Sequence, residues 1–160
     1  MKGVIMAGGE GTRLRPLTST TPKPLLPVAN RPMMEHVIDL LRNHGIDDIV
    51  VTVAFMANSI KEYFGDGSEF GVKISYVDEP VPLGTAGSVR NAMELLKDDR
   101  FVVISGDVIT DIDLSAIIQF HIDTGALATI GLTPVDNPLE FGIVITKEDG
   151  SIERLSLIHI

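Results

Sequence analysis

The chain contains no cysteine. That excludes a disulfide framework, a thiolate metal site and a cysteine nucleophile, and it fits a cytosolic protein. Long apolar runs are missing too. The longest, Ile49 to Ala57, falls far short of the ~20 residues that span a bilayer. The apolar stretch before the first glycines carries one lysine and is too short to read as a signal peptide. Basic charge is scarce: 13 Lys and Arg face 22 Asp and Glu, for a net charge of −9. This argues against nucleic acid as a partner. The histidines His36, His44 and His121 fall in predicted helices at no shared metal spacing. No convincing Ser/His/Asp or Cys/His set is present.

What the chain does have is concentrated near its start. A length of 160 residues fits one domain with a substantial core, and 44% apolar with 22% charged residues is ordinary globular composition. Gly3-Val4-Ile5-Met6-Ala7 reads as a buried strand. It runs straight into Gly8-Gly9-Glu10-Gly11-Thr12-Arg13, a turn whose backbone can approach a ligand closely. Amides in such a turn can converge on an anion. The loop is not Walker A, because Gly11 is followed by Thr12-Arg13 and not by Lys-Ser/Thr. Nor is it the dinucleotide G-x-G-x-x-G, since the glycines sit at 8, 9 and 11. Arg13, Arg15, Lys23 and Arg31 put four of the 13 cations within nineteen residues. A solvated basic face is the plain reading, but the glycine loop beside it favours an anion such as a nucleoside triphosphate. Pro22 and Pro24 restrict the backbone on both sides of Lys23 and fix its position.

Beyond the loop, the periodicity predicts a helix over Met33 to His44, with start signals at Asn30 and Pro32 and a stop at Gly45. Ile49 to Val53 reads as a buried strand, Asn58 to Phe64 as a helix, and Val72 to Val77 as a strand. Glu79-Pro80-Val81-Pro82-Leu83-Gly84-Thr85 leads into a helix ending near Lys97, with Thr85 as its N-cap. Phe101 to Ile104 is a strand that delivers Ser105-Gly106-Asp107, and a carboxylate there sits where open α/β sheets bind ligands. Asp111-Ile112-Asp113 has the D-x-D form of metal sites in sugar-nucleotide-using glycosyltransferases, but Asp113 reads better as a helix N-cap, with Gly125 closing that helix. Leu127 to Thr133 reads as a strand, Pro134 to Glu140 as a loop and Phe141 to Ile145 as the start of another strand. Glu148-Asp149-Gly150 is a hairpin turn before Ile152-Glu153-Arg154.

Two segments carry a family resemblance: Gly8-Gly9-Glu10-Gly11-Thr12-Arg13-Leu14-Arg15-Pro16-Leu17-Thr18 and Pro22-Lys23-Pro24-Leu25-Leu26-Pro27-Val28. With the strand before them, they resemble the signature of the sugar-1-phosphate nucleotidyltransferases, or NDP-sugar pyrophosphorylases. The likeness extends from residue 1 to about 154 and looks nearest to the mannose-1-phosphate guanylyltransferase branch. It implies an α/β, Rossmann-like three-layer α/β/α fold with a mostly parallel mixed sheet, incomplete at the C-terminus. The implied reaction is NTP plus sugar 1-phosphate to NDP-sugar plus pyrophosphate, with GTP and mannose 1-phosphate favoured. Thymidylyl or uridylyl transfer to glucose 1-phosphate, or a non-catalytic regulatory relative, is the alternative.

By the same resemblance, Arg13 and Lys23 are catalytic and Asp107 holds Mg²⁺. Ala7, Gly8, Gly9, Gly11, Thr12, Arg13, Glu79, Pro82, Gly84 and Thr85 bind the nucleotide. The intact protein is expected to be a cytoplasmic homo-oligomer with no membrane partner. The family continues with a Glu-Lys-Pro where this chain reads Leu155-Ser156-Leu157-Ile158-His159-Ile160. One codon choice for these residues, CTG TCT CTT ATA CAC ATC, is the transposon end used to fragment DNA for sequencing libraries. The expectation is a natural segment over 1–154, a non-native tail over 155–160, and little or no catalysis from the chain as it stands.

Overall fold

The computed structural model of the chain describes residues 1–81, 83–97, 100–137 and 142–156, with residue 156 described by its backbone alone. Two compact units emerge, Met1–Ala116 and Ile117–Ile160. The first is built on β1 (Lys2–Ala7), β4 (Asp48–Val53), β5 (Lys73–Asp78) and β6 (Phe101–Ser105). These form one parallel sheet in the order β5-β4-β1-β6. Between β1 and β4 lie a short hairpin, β2 (Pro27–Val28) with β3 (Arg31–Pro32), and helix α1 (Met33–Asn43). Helix α2 (Ala57–Phe64) links β4 to β5, and α3 (Gly84–Asn91) with α4 (Met93–Leu96) links β5 to β6.

The sequence explains the layering. β4 is β-branched along most of its length and buried on both faces, as a central parallel strand must be. Successive side chains of β1 point to opposite faces. Gly3 faces α1 so closely that a Cβ there would lie 3.0 Å from Leu41 Cδ1 and 3.2 Å from Ile46 Cγ2. Its neighbour Val4 packs on the other side with Val50, Ala92 and Leu96. The sheet therefore carries helices on both faces, as the three-layer expectation required. The antiparallel pair, β2 with β3, forms a separate small ladder.

Local signals account for most boundaries. Ala29 and Asn30 both take positive φ in the β2–β3 turn, so Asn30 makes that turn while Pro32 occupies the cap of α1. α2 ends at Gly65, where φ is +53°. Thr85 is not an N-cap: α3 begins one residue earlier, and no side chain caps it. The helix expected to run to Lys97 tightens at Ala92, whose N–H donates to Ser88 O at 3.2 Å and Val89 O at 3.1 Å, and restarts as α4. Asp113 does cap helix α5 (Leu114–Thr124), accepting the Ala116 N–H at 3.0 Å. Gly125 follows that helix with φ +61°.

In the second unit, β7 (Ile143–Thr146) and β8 (Ile152–Ser156) form an antiparallel hairpin. Its turn is the one expected: Gly150 has φ +81°, and Asp149 accepts the Ser151 N–H at 2.9 Å. Leu127 to Thr133 is not a strand. Leu127, Ile130 and Leu132 are exposed, and the stretch has no ladder partner among the described residues, so its apolar pattern has nothing to pair with. The expected loop 134–140 and strand start at Phe141 lie partly outside the described residues. Among the described residues no helix is long and apolar enough to cross a membrane.

Candidate active site

From β1 the chain moves outward through β4 to β5, then returns to the far side of β1 with β6. The carboxyl ends of β1 and β6 therefore flank a topological switch point, where the loops diverge and leave a crevice. Two glycines shape it. Gly11 has φ +63°, and a Cβ there would lie 3.0 Å from Thr18 Cγ2 and 3.2 Å from Lys23 Cβ. The loop can thus lie against the lysine stem only with glycine at this position. Thr18 is buried and its Oγ1 donates to Gly11 O at 2.8 Å, pinning the loop. At the end of β6, the Gly106 N–H donates to Met6 O at 2.9 Å. A Cβ on Gly106 would meet Ile5 Cγ2 at 3.0 Å. That close approach carries Asp107 to the side of the β1 loop.

A cavity of about 380 Å³ opens there. Ala7, Gly8, Gly9, Gly11, Arg13, Lys23, Glu79, Gly84, Thr85 and Asp107 all line it. Of the residues expected at a site, Thr12 is exposed and outside the lining, and Pro82 lies outside the described residues.

The four-cation cluster divides. Arg15 Nη2 is 3.3 Å from Glu10 Oε2, and Arg31 is bound to Glu35 and Asp39 on α1. Both bases are spent on their own carboxylates, and neither lines the cavity. Arg13 lines it and pairs with no carboxylate among the described residues. Lys23 donates to Asp107 Oδ2, a contact between residues 84 apart in sequence.

Glu79 is the other charged side chain in the lining, with 8% of its surface exposed. Its Oε2 accepts the Leu83 N–H at 3.5 Å, while Oε1 is buried without a partner among the described residues. A Cβ on Gly8 would be 3.6 Å from that oxygen, so the glycine leaves room beside it. An orphaned buried acceptor costs free energy unless a ligand donates to it. Sequence reasoning gave no role to Thr18, Ser88 or Ser105. Ser88 and Ser105 line the cavity, and Ser88 donates to Gly84 O at 2.8 Å. Ser105 had a usable signal, standing at a strand end directly before Gly106-Asp107. Thr18 had only its place in the motif.

Among the described residues no histidine lines the cavity. His36 Nε2 is 2.9 Å from Val28 O, and His44 Nδ1 is 2.8 Å from Ser115 Oγ. His121 Nδ1 is 2.9 Å from Thr129 Oγ1, so all three have local partners. What the cavity offers is placed charge: a guanidinium unpaired among the described residues, an ammonium, two carboxylates and a glycine-rich backbone. Among the described residues no group of three His, Asp or Glu could hold a metal ion. A single carboxylate suits a magnesium ion whose remaining ligands are phosphate oxygens and water.

A family model described as "Nucleotidyl transferase" matches residues 2–156. The UTP–glucose-1-phosphate uridylyltransferase of a Synechocystis species is 42% identical over 95% of this chain and 42% of its own length. The mannose-1-phosphate guanyltransferase of Candida albicans is 44% identical over 93% of this chain and 42% of its own length. The chain thus spans about two fifths of these curated relatives (42% of each). Among solved structures, a putative glucose-1-phosphate thymidylyltransferase from Bacillus anthracis superposes with a TM-score of 0.90 at 32% identity, covering 98% of this chain and 64% of that one.

Proposed function

The chain belongs to the nucleotidyl transferase family, and from that premise we propose that the intact protein converts a nucleoside triphosphate and a sugar 1-phosphate into an NDP-sugar and pyrophosphate. The observation that carries this reading is the meeting of Arg13, Lys23 and Asp107 on one glycine-walled cavity at the switch point. A phosphate oxygen of the sugar 1-phosphate attacks the α-phosphorus in line, and the bond to the β-phosphate oxygen breaks. The nucleophile is ionised at neutral pH, so the absence of a histidine from the lining is no obstacle. Catalysis is then positioning and charge neutralisation.

Arg13, unpaired among the described residues, binds the β- and γ-phosphates and stabilises the departing pyrophosphate. Lys23 binds the α-phosphate or the incoming phosphate. Asp107 is the residue that would hold Mg²⁺, which when bound neutralises phosphate charge. The glycine loop and Thr85 line the path of the nucleotide.

GTP with mannose 1-phosphate is the favoured pair. Guanine presents two adjacent N–H donors on its pairing edge, and an ionised carboxylate only accepts. The unpartnered Glu79 oxygen suits such an edge better than uracil or thymine, whose one N–H lies between two carbonyls. Glucose 1-phosphate with UTP or dTTP is the second reading, favoured by the 42% identical uridylyltransferase and the 32% identical thymidylyltransferase. The reading includes a cytoplasmic, homo-oligomeric intact protein; the lack of cysteine is in keeping with that compartment. The test is a matrix of nucleoside triphosphates and sugar 1-phosphates, read by pyrophosphate release. GTP with mannose 1-phosphate should turn over fastest. A protein that releases no pyrophosphate from any pair but binds triphosphate would be a regulatory relative.

A further inference from the structure

We propose that Lys23 is a resident counter-cation for Asp107 and keeps divalent cations off this carboxylate until triphosphate oxygens draw the lysine away. The second half of the statement rests on the proposed triphosphate site. The first half rests on the ion pair alone.

The two side chains are partly buried, with 27% and 34% of their surfaces exposed. A Coulombic contact there is screened less than one in open water. Lys23 is the only base bound to Asp107 among the described residues. The roles proposed for the two residues cannot both be filled while they hold each other. A lysine bound to Asp107 is not on a phosphate. A dication at Asp107 must approach against an ammonium already seated there.

Among the described residues no group of three carboxylates or imidazoles surrounds a metal position to compensate that repulsion. Arg15 and Arg31 cannot replace Lys23, since each has its own acidic partner. Among the described residues the cavity thus presents one unpaired cation, Arg13, and one that is caged.

Arrival of a triphosphate with its cation permits an exchange that conserves charge. The ammonium passes from carboxylate to phosphate, and the carboxylate passes from ammonium to cation. The lysine can make this move without a backbone rearrangement. Its backbone is fixed by Pro22 and Pro24, its stem rests against Gly11, and its end is a flexible chain with rotatable donors. Metal and triphosphate then favour each other's binding by the same factor, as linkage requires.

The test is Mn²⁺ binding to the whole chain without nucleotide, read from the paramagnetic resonance of the free ion. Lys23→Met keeps the stem and removes the charge. It should bind Mn²⁺ about tenfold more tightly than the parent. Lys23→Arg should bind as weakly as the parent, and Lys23→Met with Asp107→Asn should lose the gain. Circular dichroism checks that each variant is folded. Equal affinity in the parent and folded Lys23→Met overturns the proposal.

If Lys23→Met does not fold, Asp107→Asn decides, by calorimetry with metal-free GTP. Freeing the lysine should tighten binding about fivefold, and unchanged or weaker binding overturns the exchange. A chain that gains Mn²⁺ affinity on Lys23→Met yet binds no triphosphate would support the counter-cation and count against the proposed function.

Discussion

Arg13 carries a charge that no carboxylate among the described residues neutralises, on an exposed side chain at the cavity wall. Removing it breaks no hydrogen bond or ion pair among the described residues, so Arg13→Ala should change stability by no more than about 0.5 kcal/mol. Its loss would be felt where charge develops on the leaving pyrophosphate, and turnover of the intact protein should fall roughly 10²–10³-fold. Comparing melting temperature with pyrophosphate release separates the two effects. Turnover within twofold of the parent would remove the assigned role. Glu79→Gln supplies a donor beside the nucleobase, so GTP affinity should drop about tenfold while UTP affinity holds or rises. Titration of both nucleotides checks this. Gly11→Ala forces a positive φ on alanine and presses its Cβ onto Thr18. It should destabilise the chain by about 1–3 kcal/mol and weaken triphosphate binding, as denaturant melts and calorimetry would report.

At the scale of elements, the strands and helices of the first unit were legible because each pattern had a partner. Ile49 to Val53 was readable as a buried strand, and β1 and β5 pair with it residue by residue. The helix over Met33 to His44 was readable because Met34, Val37, Ile38 and Leu41 form one buried stripe. Leu41→Ala should therefore cost about 2–5 kcal/mol in a chemical melt, with a cavity left under Gly3. Leu127 to Thr133 has the same kind of apolar pattern but finds no ladder, so pattern alone misled. Thr85 misled differently: an N-cap residue type stands inside the first turn because Gly84 already begins the helix.

β5 also supplies a pH-dependent contact. The Tyr76 hydroxyl donates to Gly65 O at 2.9 Å, where α2 ends. Burial, and secondly the charge of Asp66, push its pKa up from 10.0 to about 12. The folded chain then keeps a proton that the unfolded chain loses near pH 10, so stability should fall as pH rises from about 10 towards 12. Melting temperatures across that range, in the parent and in Tyr76→Phe, should show a steeper alkaline decline in the parent.

For the molecule as a whole, the sequence made the α/β class and the Gly8–Lys23 side of the cavity readable because that motif is continuous along the chain. Gly8 to Lys23 is local, and its loops close over short distances. The division of the cations was not read, although Glu10 and Glu35 stand only five and four residues from Arg15 and Arg31, because a count of charges does not say which base a local acid closes on. The Lys23–Asp107 pair was hidden for a different reason: it joins residues 84 apart across a parallel sheet. The proposed adapter origin of residues 155–160 is checked in the source DNA, where codons other than CTG TCT CTT ATA CAC ATC would dispose of it. The central claim is nucleotidyl transfer by the intact protein. Its most direct test is pyrophosphate release from the uninterrupted gene product supplied with GTP, mannose 1-phosphate and Mg²⁺. The account predicts release that requires both substrates and yields one GDP-sugar per pyrophosphate. An intact, folded protein that releases none with this pair or with any other triphosphate and sugar 1-phosphate would contradict it.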